Sequence, residues 1–131
     1  MIVLDASAVV ELVLDTPTGR RVGTLISDSN MGLHVPHLLD VEVLSVLRRF
    51  VREDVVEERD AQAAIEDLFA LDLQRHSHEG LAERALALRK NVTTYDAMYV
   101  SLAEALGATL VTCDAKLAKS PGIKIRVEVV K

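Results

Sequence analysis

The chain has 131 residues, half of them hydrophobic and only 3% aromatic, with a net charge of −5. That length suits one domain, able to bury roughly two-thirds of the surface its unfolded form exposes, and the acidic balance argues against a protein that holds nucleic acid by bulk electrostatics. The single Cys113 excludes an internal disulfide framework and points to a reducing compartment.

Residues 2–5, IVLD, are a short β-prone apolar run ending in a carboxylate, and SAVVELVL follows at helical spacing, so a strand passes directly into a helix. The opening MIVLDASAVVELVL reads as neither secretory leader nor membrane span: it carries Asp5 and Glu11, has no basic n-region and is too short. A soluble, cytoplasmic protein is expected. Thr16 as N-cap and Pro17 at the first helical position start a helix expected to run to about Ser29. GLHV supplies a second strand, closed by Pro36. The run LLDVEVLSVLRRF sets Leu39, Val43, Val46 and Leu47 on one face and predicts a helix from about Leu38 to Arg52.

A charged break, EDVVEERD, precedes AQAAIEDLFAL, a helix centred on Ile65. LDLQRH is a further strand candidate, LAERALALRK another helix, and TTYDAMYVSLAEALG a helix that Gly107 is placed to end. TLVTCD repeats the pattern of the first strand, and IKIRVEVV closes as an alternating strand. No repeat, low-complexity tract or linker marks a second domain. Strands alternating with helices predict a single α/β domain over residues 1–131, a mostly parallel sheet of about five strands with helices on both faces.

In such a sheet ligands bind beyond the carboxyl ends of the strands, where strand order reverses. Asp5 and Asp114 end two candidate strands; if those strands are neighbours, both carboxylates enter one crevice. Glu42 adds a third acid, beside the apolar Val41 and Val43. Asp96 is the fourth, on a helical stripe with Val100, Ala103 and Gly107. Oxygen ligands without His or Cys suit Mg²⁺ or Mn²⁺ rather than zinc. Plain alternatives stand beside this reading. Asp5 and Asp114 can cap the helices that follow them, Thr93 and Asp96 resemble a capping box, Glu42 can be a solvated helix residue, and His76 and His78 read as surface histidines.

The opening MIVLDASAVVELVL, the central LLDVEVLSVLRRF, the later TTYDAMYVSLAEALGATLVTCDAKLA and the final VEVV together resemble a PIN domain, specifically the VapC-like toxins of bacterial and archaeal VapBC toxin-antitoxin pairs. The resemblance covers nearly the whole chain in order. It implies an endoribonuclease in which Asp5, Glu42, Asp96 and Asp114 match the family's acidic quartet, the catalytic residues that bind Mg²⁺ or Mn²⁺. Ser7 and Thr112 match hydroxyl positions beside the acids, where hydrogen bonds would orient carboxylates. Some relatives carry a further acid or Asn three residues after the last Asp; here that position is Leu117.

The resemblance also implies an RNA substrate, a VapB-like antitoxin whose C-terminal segment lies across a helical groove, and a homodimer. The helices from Leu38 and from Ala61 are candidates for the groove, and Val55 and Val56 hint at an exposed apolar patch, which burial within the monomer explains about as well. Tyr95 and Tyr99 are candidates for stacking bases, although Tyr in a helix is more often half-buried packing. Basic clusters at Arg20-Arg21, Arg48-Arg49-Arg52, Arg89-Lys90 and Lys116-Lys119 are candidates for a rim around an acidic site. Two other functions compete: an RNA-processing nuclease of the same fold outside a toxin pair, and a non-enzymatic α/β module. A receiver needs paired acids after its first strand and a D-x-D phosphatase a second Asp, but Ala6 and Ser7 follow Asp5. No glycine-rich phosphate loop occurs.

Overall fold

In the computed structural model, residues 1–28 and 32–131 are described, and they form one five-stranded parallel sheet with seven helices. The expected end of the second helix at Ser29 lies outside the described residues. The strands are β1 (Ile2–Leu4), β2 (Leu33–Pro36), β3 (Leu73–His76), β4 (Thr109–Thr112) and β5 (Val127–Val129). Their order is β3-β2-β1-β4-β5. The chain thus winds outward from β1 through β2 to β3, then crosses back to place β4 on the other side of β1. Strand order reverses between β1 and β4, with Leu4 opposite Val111.

Both faces are covered. Helices α1 (Ala6–Val13), α2 (Pro17–Ser27), α3 (Leu38–Arg52) and α4 (Glu58–Ala70) pack together as one layer. Helices α5 (Ala82–Ala87) and α6 (Thr94–Leu106) pair with each other, and α6 lies along β1, β2 and β4; the short α7 (Ala115–Ala118) leads into β5. Val3 and Leu4, which point to opposite faces of β1, are both fully buried. A strand covered on both sides has no solvated face, hence the unbroken IVL rather than an alternating run.

The predicted bounds hold closely where local signals are strong. Thr16 caps α2 by accepting from the Gly19 amide at 2.9 Å, Pro17 is its first residue, and α3 spans the predicted range. Gly107 ends α6 in the left-handed conformation, at φ 62°. Several bounds differ: of LAERALALRK only Ala82–Ala87 is helical, and two further differences have a local cause. Helix α4 begins at Glu58, inside the charged run, where Glu58 and Asp60 in the first turn favour the positive end of the helix dipole. The alternating IKIRVEVV yields only three strand residues, because the ladder with β4 spans only Leu110, Val111 and Thr112.

Candidate functional site

Asp5 leaves the end of β1 with its backbone amide donating to the Val111 carbonyl of β4 at 3.1 Å. Its carboxylate then does two things at once. Oδ1 accepts from the Ala8 amide at 3.2 Å, capping α1, and from Ser7 Oγ at 2.6 Å, while Oδ2 accepts from Thr112 Oγ1 at 2.6 Å. Ser7 Oγ in turn accepts from the Cys113 amide at 2.9 Å, and Thr112 Oγ1 accepts from the Asp114 amide at 2.9 Å. The hydroxyls Ser7 and Thr112 therefore lace the ends of β1 and β4 together around Asp5. Asp5 is only 6% exposed, and burial raises its carboxyl pKa even though hydrogen bonds from Ser7, Thr112 and the backbone favour the charged form.

Glu42, on α3, is half-buried and accepts a 2.6 Å hydrogen bond at Oε1 from the Tyr99 hydroxyl of α6. Burial raises its pKa; the Tyr99 bond works against that, and the nearby Asp96 and Asp5 charges add to it. Asp96 lies in the first turn of α6, its amide donating to Thr93 Oγ1 at 3.1 Å. Burial raises Asp96 as well, followed by repulsion from Asp5 and then Asp114. Asp114 sits at the end of β4 with Oδ1 accepting from the Lys116 amide at 2.9 Å. The four acids from β1, α3, α6 and β4 thus share one electrostatic neighbourhood, and no Lys or Arg among the described residues forms an ion pair with any of them.

Capping and clustering prove compatible: Asp5 and Asp114 cap the following helices and still belong to the acid group, and only the capping-box likeness of Asp96 reduces to its backbone amide. Among the described residues no three acid, histidine or cysteine side chains already close into a metal cage. The donor chemistry nevertheless fits a hard divalent cation, because half-buried carboxylates that raise one another without a basic partner are relieved by positive charge between them. Leu117, three residues after Asp114, is 2% exposed and belongs to the core, so it offers no further ligand. Burial, then the Asp5 and Glu11 charges, push the Cys113 thiol up to about 11, so it is protonated at neutral pH.

The structure decides one alternative and corrects one expectation. Tyr99 is 2% exposed and cannot stack a base; its hydroxyl instead orients Glu42, a role whose only sequence signal is a Tyr three residues beyond Asp96. His76 and His78 are not free surface histidines. His76 Nε2 lies 2.9 Å from His34 Nδ1, and His78 Nε2 accepts from the Leu38 amide at 2.9 Å, tying β3 and the loop after it to β2 and α3.

A family model described as "PIN domain" matches residues 2–122. Ribonuclease VapC12 of Mycobacterium tuberculosis is 38% identical over 130 residues, which cover 99% of each chain. Among solved structures, PAE2754 from Pyrobaculum aerophilum is 26% identical and superposes with a TM-score of 0.69, covering 98% of this chain and 83% of that one. The VapBC2 structure from Rickettsia felis, bound to a DNA fragment from their promoter, covers all of both chains at a TM-score of 0.69; at 18% identity it speaks to the fold alone.

Proposed function

The chain belongs to the PIN-domain family of VapC-like ribonucleases, and from that membership we propose that it is a Mg²⁺- or Mn²⁺-dependent endoribonuclease, the toxin of a VapBC-type pair. The observation that carries the reading is the meeting of Asp5, Glu42, Asp96 and Asp114 at the β1–β4 switch point without a basic partner. These acids would hold the cation. When bound, a divalent cation supplies the positive charge an anionic phosphodiester needs to approach four carboxylates, and makes water a better nucleophile near neutral pH.

The chain's own groups do the positioning. Ser7 and Thr112 hold both Asp5 oxygens, and Tyr99 fixes one oxygen of Glu42. The proposed reaction is hydrolysis: a water oxygen bonds to phosphorus, the bond from phosphorus to the 3′ oxygen breaks, and that oxygen leaves with a proton. The products carry 5′-phosphate and 3′-hydroxyl ends.

A VapB-like antitoxin is the proposed partner, its segment lying in the groove between α3 and α4, where Leu44, Leu47, Val51 and Ile65 form an apolar floor and Arg48 and Arg52 flank it. Val55, 62% exposed at the α3–α4 corner, supports a homodimer contact, whereas Val56 is half-buried against the core of its own chain. The reading also places the protein in the cytoplasm; among the described residues no helix is long and apolar enough to cross a membrane.

The test is to incubate antitoxin-free protein with total cellular RNA, with Mg²⁺ or with EDTA, beside Asp96→Asn, and to sequence all new ends. Discrete cuts that need the cation and vanish in the variant are expected. Cleavage by a folded Asp96→Asn protein, or ends bearing 2′,3′-cyclic phosphate, would sink the reading.

A further inference from the structure

Two open clefts flank the acids, and the first turn of α6 separates them. On one side Asp96 and Asp114 line a cleft of about 460 Å³ together with Arg89, Lys90 and Lys116. On the other side Tyr95, Met98, His78 and Leu38 line a cleft of about 420 Å³. Leu38 stands one turn before Glu42 on the same face of α3, and Tyr95 is the residue before Asp96, so this second cleft also abuts the acid group.

The linings differ in chemistry. Arg89, Lys90 and Lys116 are exposed and form no ion pair among the described residues; Arg48, Arg49, Arg52, Lys119 and Lys124 are unpaired too, but they do not line a cleft with Asp96 and Asp114. In a chain of net charge −5 the three cleft cations set positive charge beside two carboxylates that have no ion-pair partner among the described residues. In the second cleft, Tyr95 is 60% exposed although aromatic residues are scarce in this chain, and Met98 and Leu38 give the wall beside it an apolar character.

We propose that single-stranded RNA lies across the first turn of α6, its phosphates beside the cut on Arg89, Lys90 and Lys116 and one base stacked on Tyr95. This rests on the ribonuclease reading above and adds to it which wall takes the backbone and which takes a base. Cations that track phosphates and an aromatic face that accepts a base are the two elements by which proteins grip single strands. The division also explains how an acidic protein engages RNA: cations at the mouth of the site attract the backbone where it is to be cut. Of the four basic clusters in the sequence, the structure brings Arg89-Lys90 and Lys116 to the acids.

The experiment measures kcat and KM on a single-stranded oligonucleotide containing a cut site mapped from cellular RNA, across a range of salt. Four variants are compared with wild type: Lys90→Gln/Lys116→Gln; a charge-matched control, Arg49→Gln/Lys124→Gln, whose exposed cations lie outside both clefts; and Tyr95→Ala with Tyr95→Phe as its rescue. The cleft double variant should raise KM and lower the steepness of its salt dependence by about 0.7 for each phosphate no longer neutralised, with kcat held. Tyr95→Ala should raise KM about 5- to 100-fold, and Tyr95→Phe should restore it. Equal salt slopes for the two double variants, or a wild-type KM for Tyr95→Ala, overturns the division of the RNA while leaving a cutting enzyme in place. Wild-type protein that leaves RNA intact overturns the ribonuclease reading and this inference together.

Discussion

Glu42 is held by a single 2.6 Å bond from Tyr99, and burial raises the Tyr99 phenol pKa so that it remains a protonated donor. Tyr99→Phe removes only that hydroxyl and keeps the ring in the core. Cleavage should fall about 10- to 100-fold, the usual cost of losing a group that orients a ligand, while stability changes by about 1 kcal/mol. Single-turnover cleavage beside a thermal melt checks this, and a wild-type rate would mean that Glu42 needs no orienting partner. Asp5 cannot be probed so cleanly. Its replacement by Ala would strip the α1 cap and leave the Ser7 and Thr112 hydroxyls without their acceptor, mixing a folding defect with any loss of chemistry.

Helix α2 meets the end of α1 so closely that a Cβ on Gly19 would lie 1.9 Å from the Glu11 carbonyl oxygen. Backbone cannot yield as a flexible side chain can. Gly19→Ala should therefore cost at least about 2 kcal/mol, read by denaturant unfolding; unchanged stability would mean that α2 slides freely over α1. At the opposite edge, β3 is held to β2 through the ladder and through the His34–His76 contact. His34 is buried, and burial, then His76, then the amino terminus depress its pKa below the ordinary 6.5. The unfolded chain therefore binds the His34 proton first. Its contribution to stability is complete above about 6.5 and is lost as pH falls through the depressed folded value. Measured against His34→Gln, the wild-type unfolding midpoint should fall between pH 7.5 and 5, a comparison that cancels the opposite contribution of the raised Asp5, Glu42 and Asp96 carboxyls.

The acid group exists only when β1, α3, α6 and β4 have assembled, so its repulsion is a property of the folded molecule. Neutralising one member should stabilise the fold as it abolishes activity. In EDTA, Asp96→Asn should melt about 2–5 °C above wild type. Adding Mg²⁺ or Mn²⁺ should raise the wild-type melting temperature by preferential binding to the folded state and leave the variant nearly unmoved. Scanning calorimetry with and without cation reads both; a variant that melts below wild type in EDTA would mean that Asp96 stabilises the fold and that repulsion is minor.

Helix α3, the Thr16-Pro17 start of α2, the Gly107 stop of α6 and the strand-like IVLD and TLVTCD were all legible in the sequence, because periodicity, caps and left-handed glycines act within a turn or two of the residue concerned. The four acids were legible as residues standing beside apolar runs. That they meet was legible only as an expectation from strand ends and the family resemblance, since it depends on β4 crossing to pair with β1, a long-range choice made by the burial of both faces of the sheet. The sequence by itself determined the parallel α/β class and the acidic residues at the element ends. Only the tertiary structure decided the Tyr99–Glu42 and His34–His76 contacts and which basic residues stand beside Asp96, because partners 57 and 42 residues apart are chosen by packing and register rather than by any local pattern.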